Sequence, residues 1–271
     1  MARNHFSIID FFTQESAFAT EFRRVLHNVL RTHRVPELKT VLVTSSTLSE
    51  GKSTVSALLS ITAAKKGLKT LLIDCDLRRP TVHKLFQLER SGGLSEVLAN
   101  GLSVREATKK TPLEKLEIIT AGRAYPHPAE IFDSPAIGRL VEEAKFYHDL
   151  ILLDTAPIVP VSDPMLLAQE VDGVLLVVKA GETQREVVSR AVDIINGDES
   201  KVLGVVLNNV SHTLPHYYDY DYYGYKYEQA APGLAKGEKA KKNPDAGATG
   251  GKQEKKARRD VKEDTGKIRL K

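Results

Sequence analysis

Between residues 14 and about 33, Phe18, Phe22, Val25 and Val29 recur at three- and four-residue steps with Leu26 and Leu30 beside them. That spacing predicts an amphipathic helix, and Pro36 terminates it. Past Pro36 the pattern changes to short, continuously apolar runs at 41–43, 70–73, 116–119, 150–153, 174–178 and 202–207. Segments 52–66, 134–147 and 183–196 between them read as helices, the first closed by Gly67. A run that is apolar at every position belongs to a strand covered on both faces. The alternation predicts an α/β fold, a mostly parallel central sheet with helices on both faces. Ligands of such a sheet sit at the carboxyl ends of its strands.

The alternation stops near Val210. Seven of the nine tyrosines then fall within the eleven residues 217–227, interleaved with Asp219 and Asp221. Residues 229–271 carry thirteen Lys or Arg against six Asp or Glu and almost no large apolar side chain before Ile268, a composition that predicts disorder. The boundaries that follow are an amphipathic helix in 1–37, an α/β domain over 38–211, a tyrosine cluster over 212–228 and a basic tail over 229–271.

The whole chain has 271 residues and a formal charge of +4, while the tail alone is +7. The basic balance therefore belongs to the tail and does not predict a nucleic-acid partner for the domain. One cysteine, Cys75, excludes a disulfide framework and suits a reducing compartment. Neither a signal peptide nor an apolar stretch near the ~18 residues of a membrane span is visible. The expectation is a cytoplasmic chain, free or held at a membrane by a partner. His83, His127, His148 and His212 are scattered without metal-ligand spacing.

Candidate chemistry lies at three strand ends. Ser46-Thr47-Leu48-Ser49-Glu50-Gly51-Lys52-Ser53-Thr54 joins a strand to a helix, the setting of a phosphate-binding loop. Backbone N–H groups at a helix start carry partial positive charge and cradle phosphate oxygens. Lys52 would reach the β- and γ-phosphates and the Ser53 hydroxyl would ligate Mg²⁺. The loop departs from GxxxxGK[ST] at its first position, where Ser46 stands. The run 70–73 ends in Asp74-Cys75-Asp76-Leu77-Arg78-Arg79-Pro80. Two carboxylates at a buried strand end repel each other unless a cation or a proton-transfer task offsets that repulsion. Cys75, between them, should have a raised pKa and little reactivity. The run 150–153 ends in Asp154-Thr155-Ala156-Pro157, an arrangement suited to Mg²⁺. Read singly, each segment also fits a turn or helix cap. Together, in this order, they imply one site for ATP and Mg²⁺.

These motifs resemble those of the bacterial tyrosine kinases of capsule and exopolysaccharide loci, which share the P-loop ATPase fold of the Min and Par partition proteins. The family's GEGK[ST], D-x-D-x-R and D-x-x-P signatures stand here as Ser49-Glu50-Gly51-Lys52-Ser53, Asp74-Cys75-Asp76-Leu77-Arg78 and Asp154-Thr155-Ala156-Pro157. The resemblance spans roughly residues 15–227. It implies a P-loop NTPase fold and an ATP-dependent tyrosine autokinase acting on Tyr217, Tyr218, Tyr220, Tyr222, Tyr223, Tyr225 and Tyr227. It also implies roles: Lys52, Asp74, Asp76 and Asp154 in catalysis, Asp74 taking the tyrosine proton; Ser49, Glu50, Gly51, Lys52, Ser53 and Thr54 on the phosphates; Asn208 on the adenine; Ser53, Asp76 and Asp154 on Mg²⁺.

Implied partners are other copies of the chain, a membrane-embedded activator that controls polysaccharide chain length, and a cognate phosphotyrosine phosphatase. The activator would place the kinase at the inner face of the membrane. The family's subunit-contact pattern E-x-x-R-x-x-R stands here as Glu21, Arg24 and His27, and some 44 residues follow Tyr227. A second reading is a Min/Par-like ATPase switch without kinase activity; those proteins carry a lysine where this chain has Thr47. A third, a regulator without catalysis, rests on Ser46 and Ser49 in place of glycine.

Overall fold

A computed structural model of the chain describes residues 7–12, 17–31, 37–196 and 201–210. The tyrosine cluster and the basic tail lie outside the described residues. Two N-terminal helices, α1 (Ile8–Phe11) and α2 (Ala17–Leu30), precede β1 (Thr40–Ser45), α3 (Lys52–Lys65) and β2 (Thr70–Asp74). Three short helices follow, α4 (Val82–Phe86), α5 (Leu94–Asn100) and α6 (Val104–Ala107), then β3 (Lys109–Lys110) and β4 (Leu116–Ile119). The second half runs α7 (Pro128–Phe132), α8 (Ala136–Tyr147), β5 (Leu150–Asp154), α9 (Asp163–Gln169), β6 (Gly173–Lys179), α10 (Arg185–Asn196) and β7 (Val202–Asn208).

The strands form one sheet in the order β3-β4-β2-β5-β1-β6-β7, parallel throughout except for the β3–β4 pair. Alternate residues of each strand point to opposite faces, and two cores result. Leu42, Leu71, Ile73, Ile151, Leu153, Leu176 and Val178 face the helices α5 to α10. Val41, Val43, Leu72, Leu150, Leu152, Leu175 and Val177 face α2 and α3. The edge strand β7 departs from the continuous burial expected of its apolar run: Val205 is 46% and Leu207 59% exposed among the described residues.

Helix α3 lies between the sheet and α2, and every residue from Val55 to Ala64 is buried. It ends where Gly67 takes φ +96°, a left-handed turn that costs glycine nothing. Covering α3 requires the amphipathic stripe seen in the sequence: Ala19, Phe22, Leu26 and Val29 of α2 are buried against it, while Arg24 and His27 are exposed. No described helix is long and apolar enough to cross a membrane.

Gly93, at the start of α5, sits against the end of β4. The Leu94 N–H donates to the Thr120 carbonyl at 2.7 Å. A Cβ on Gly93 would stand 2.1 Å from that oxygen and 2.6 Å from the Gly122 nitrogen. Both are backbone atoms and cannot rotate away. Gly93→Ala is expected to destabilise the chain by about 2 kcal/mol through overpacking, read as a lower urea midpoint of the full-length protein.

Candidate active site

The sheet order brings β2, β5 and β1 side by side, so the three motif-bearing strand ends meet. Asp74 and Asp154 are register partners on neighbouring strands. The phosphate-loop segment leaves β1 beside them and enters α3 at Lys52. Thr155 N–H donates to Val43 O at 3.1 Å and Ile158 N–H to Ser45 O at 2.8 Å, which ties the turn after β5 to β1.

Glu50 holds the loop in shape. Its side chain is buried; Oε2 accepts from the Thr47 N–H at 2.7 Å, Oε1 accepts from the Thr183 hydroxyl, and its carbonyl accepts from Asn208 Nδ2 at 2.9 Å. Gly51 takes φ +92°, and a Cβ there would stand 2.1 Å from Asn208 Nδ2. The two serines in glycine positions differ. Ser49 takes φ +63° whereas Ser46 is not in the left-handed region. Ser49 therefore carries backbone strain of about 1 kcal/mol that glycine would not, and Ser46 carries none of this kind. Thr54 is exposed on the first turn of α3.

Lys52 Nζ lies 2.9 Å from Asp76 Oδ2 and 3.3 Å from Ser53 Oγ. Asp74 is fully buried, accepting from the Asp76 N–H at 3.2 Å and the Val82 N–H at 3.1 Å. Burial and the neighbouring Asp154 charge push its pKa up to about 8, against the pull of those two N–H groups. Burial raises Asp154 to about 6, while Lys52 and the Ser53 and Ser56 hydroxyls pull it down. Burial opposes the charge on Lys52, yet Asp154, Asp76 and Asp74 outweigh it and its pKa is raised. Cys75 is inert here: burial first, then the flanking carboxylates, push its thiol well above the usual value.

The oxygen donors suit Mg²⁺. Asp154 Oδ2 is buried with no hydrogen-bond partner among the described residues, although Oδ1 accepts from Ser56 Oγ at 3.1 Å. An orphaned carboxylate oxygen beside a phosphate loop fits a hard cation. Among the described residues no three His, Cys, Asp or Glu side chains are arranged to hold a metal by themselves. Mg²⁺ needs no such cage, because one or two carboxylates, substrate phosphates and water complete its shell.

One pair was not anticipated from the sequence. Arg78 Nε and Nη2 donate to Asp163 Oδ2 and Oδ1 at 2.7 and 2.9 Å. This fork joins the loop after β2 to the start of α9, and Asp163 is 1% exposed. Ser162-Asp163-Pro164 reads as an ordinary helix start, so the only signal was the arginine in D-x-D-x-R.

Fold and site define a P-loop nucleotide-binding protein. A family model described as ParA, NUBPL iron-transfer P-loop NTPase, matches residues 38–231. Tyrosine-protein kinase YwqD of Bacillus subtilis (strain 168) is 35% identical over 212 residues, 78% of this chain and 89% of that protein. The putative tyrosine-protein kinase CapB of Staphylococcus aureus is 34% identical over 78% of this chain and 92% of its own length. Among solved structures, the chimerical protein CapA2B2 superposes with a TM-score of 0.70 at 30% identity, over 74% of this chain and 88% of that one. The kinase domain of Escherichia coli tyrosine kinase ETK gives 0.70 at 26% identity, over 77% and 82%. MinD from Pyrococcus horikoshii, solved with Mg-ADP, shares the fold at 21% identity and a TM-score of 0.54. The chain belongs to the bacterial tyrosine-protein kinases of the ParA-type P-loop family.

Proposed function

We propose that the chain transfers the γ-phosphoryl group of ATP to tyrosines 217, 218, 220, 222, 223, 225 and 227 of its own kind, and so regulates capsule or exopolysaccharide synthesis. The observation that carries the reading is the registered Asp74–Asp154 pair with Lys52 against Asp76, beside a phosphate loop. Lys52 turns from Asp76 to the β- and γ-phosphates as ATP enters, with the loop N–H groups of 49–54 around them. Mg²⁺, held by Ser53, Asp76 and Asp154, would neutralise charge on the phosphates. Asp74 accepts the tyrosine hydroxyl proton, the phenolic oxygen attacks the γ-phosphorus, and ADP leaves. A base raised toward 8 is closer to a phenol near 10 than a free carboxylate near 4 is, which eases the transfer. Asn208, tied to the loop through Glu50, faces the nucleotide from the end of β7.

Incubation with Mg²⁺-ATP and immunoblotting tests the reading: phosphotyrosine is expected. ADP release without it would instead support the Min/Par-like switch. A membrane-embedded chain-length protein is the proposed activator, and a phosphotyrosine phosphatase the proposed antagonist.

Assembly is the remaining part of the proposal. Glu21 and Arg24 pair at 2.6 Å on the exposed face of α2, with His27 one turn on. This face would feed one copy's tyrosines to the next copy's site. Each phosphate adds about −1.5 to −2 charges, which the Asp74/Asp76/Asp154 pocket repels. Phosphatase-treated protein is therefore expected to form oligomers and autophosphorylated protein to be monomeric. Equal masses for the two by light scattering would refute phosphorylation-controlled assembly.

A further inference from the structure

A cavity of about 400 Å³ lies away from the phosphate loop, where α1 and α2 meet the far end of α3. Its lining includes Arg23, His27, Lys65 and Lys66 and, among the described residues, no carboxylate. Its apolar wall is Phe12 and Leu26. Lys65 is already oriented: its Nζ donates to Phe12 O at 2.8 Å and lies 4.7 Å from the Phe12 ring centroid. Lys65 is thirteen residues along α3 from Lys52, about 20 Å at the helical rise. The cavity and the acidic site are thus at opposite ends of one helix.

Four cationic side chains around one opening favour an anion, most of all a dianion. An apolar wall carrying an aromatic ring favours a ligand with a ring of its own. Inorganic phosphate would use only the first feature, and an unmodified tyrosine only the second. We infer that this cavity binds phosphotyrosine, and that its occupant is the phosphorylated 217–227 segment of this chain.

That segment is rich in tyrosine and carries Asp219 and Asp221, so its charge complements the cavity before and after modification. It is also within reach. Helix α2 packs against β7, the strand from which the segment departs. Seven residues from Val210 to Tyr217 span up to about 24 Å and seventeen to Tyr227 up to about 58 Å, at ~3.4 Å per residue. A product repelled by the carboxylate pocket would thus be retained on a basic one. His27 also lies on the proposed assembly face, so an occupied cavity disfavours assembly.

The inference rests on the autokinase reading for the origin of the phosphate, and its test does not. A fluorescent synthetic peptide of residues 214–228, phosphorylated at Tyr222 and Tyr223, is titrated with phosphatase-treated full-length protein without ATP. The expected result is affinity at least tenfold above that of the unphosphorylated peptide. Phenyl phosphate should displace it at lower concentration than inorganic phosphate, and Mg²⁺-ADP should not displace it. Lys66→Glu and Arg23→Glu should each weaken binding at least tenfold with an unchanged melting temperature. Phe12→Leu should remove the preference for phenyl phosphate over phosphate. Equal affinity for both peptides, displacement by Mg²⁺-ADP, or full binding by the charge-reversed variants would overturn the assignment. So would capture of the protein by phosphatidylserine vesicles through these residues without peptide binding, the signature of a membrane-facing patch. Loss of autophosphorylation with intact peptide binding would sink the kinase reading alone.

Discussion

Replacing Lys52 with Met is expected to abolish tyrosine phosphorylation and, less obviously, to destabilise the fold by about 3 kcal/mol at pH 8, the low end for breaking a buried ion pair. The Lys52–Asp76 pair is only 13% and 4% exposed, and Asp74 and Asp154 are buried beside it. Both of these carboxyls have folded pKa values, about 8 and about 6, above the ~3.9 of an unfolded aspartate. The folded chain therefore holds protons that the unfolded chain releases, and ionising them lowers stability as pH rises from about 4 through about 8. Lys52 offsets that loss, and its own raised pKa keeps it charged throughout. Removing it should cost most at pH 8 and much less at pH 5, where the two carboxyls are protonated. Urea denaturation of the full-length variant at both pH values measures this. A penalty independent of pH would show that Lys52 does not compensate the carboxylates.

Asp74→Asn is expected to lower kcat by about 10²–10⁴-fold, the range for loss of a general base, while nucleotide affinity stays within a few-fold of wild type. The two variants thus fail by different routes: Lys52 by phosphate binding and charge neutralisation, Asp74 by the missing proton acceptor. The pH profile follows from the same carboxyl. A base must be ionised to act, so log kcat/KM of the wild type should rise with pH and level off near 8. The aspartate pair shares its titration, so the breakpoints belong to the pair. A flat profile from pH 6 to 9, or an Asp74→Asn protein that loses nucleotide binding along with rate, would mean that another group takes the proton.

Much of this architecture is legible in the sequence because the signals are local. Runs 70–73, 116–119 and 150–153 announce strands β2, β4 and β5 within one residue of their ends, since burial on both faces leaves no polar position in a run. The helix at 52–66 is visible from the loop that opens it and the glycine that closes it. Non-local features are not legible. Arg78 and Asp163 are 85 residues apart and meet only because β2 and β5 are neighbours. Glu50 reads as a polar loop residue, yet it joins Thr47, Thr183 and, through its carbonyl, Asn208. The two-residue β3 has no periodicity to detect and exists through its antiparallel pairing with β4. The serine substitutions in the loop look alike on the page; the fold separates them, because only the Ser49 position requires a left-handed backbone.

The central claim is that ATP is consumed to place phosphate on the tyrosines of 217–227. Intact-mass and peptide-level mass spectrometry of the full-length chain after incubation with Mg²⁺-ATP tests it most directly. The account predicts a ladder of added phosphoryl groups confined largely to Tyr217, Tyr218, Tyr220, Tyr222, Tyr223, Tyr225 and Tyr227, absent from Lys52→Met and Asp74→Asn. ADP formation with no mass added to the chain, or phosphate found mainly outside that segment, would contradict it.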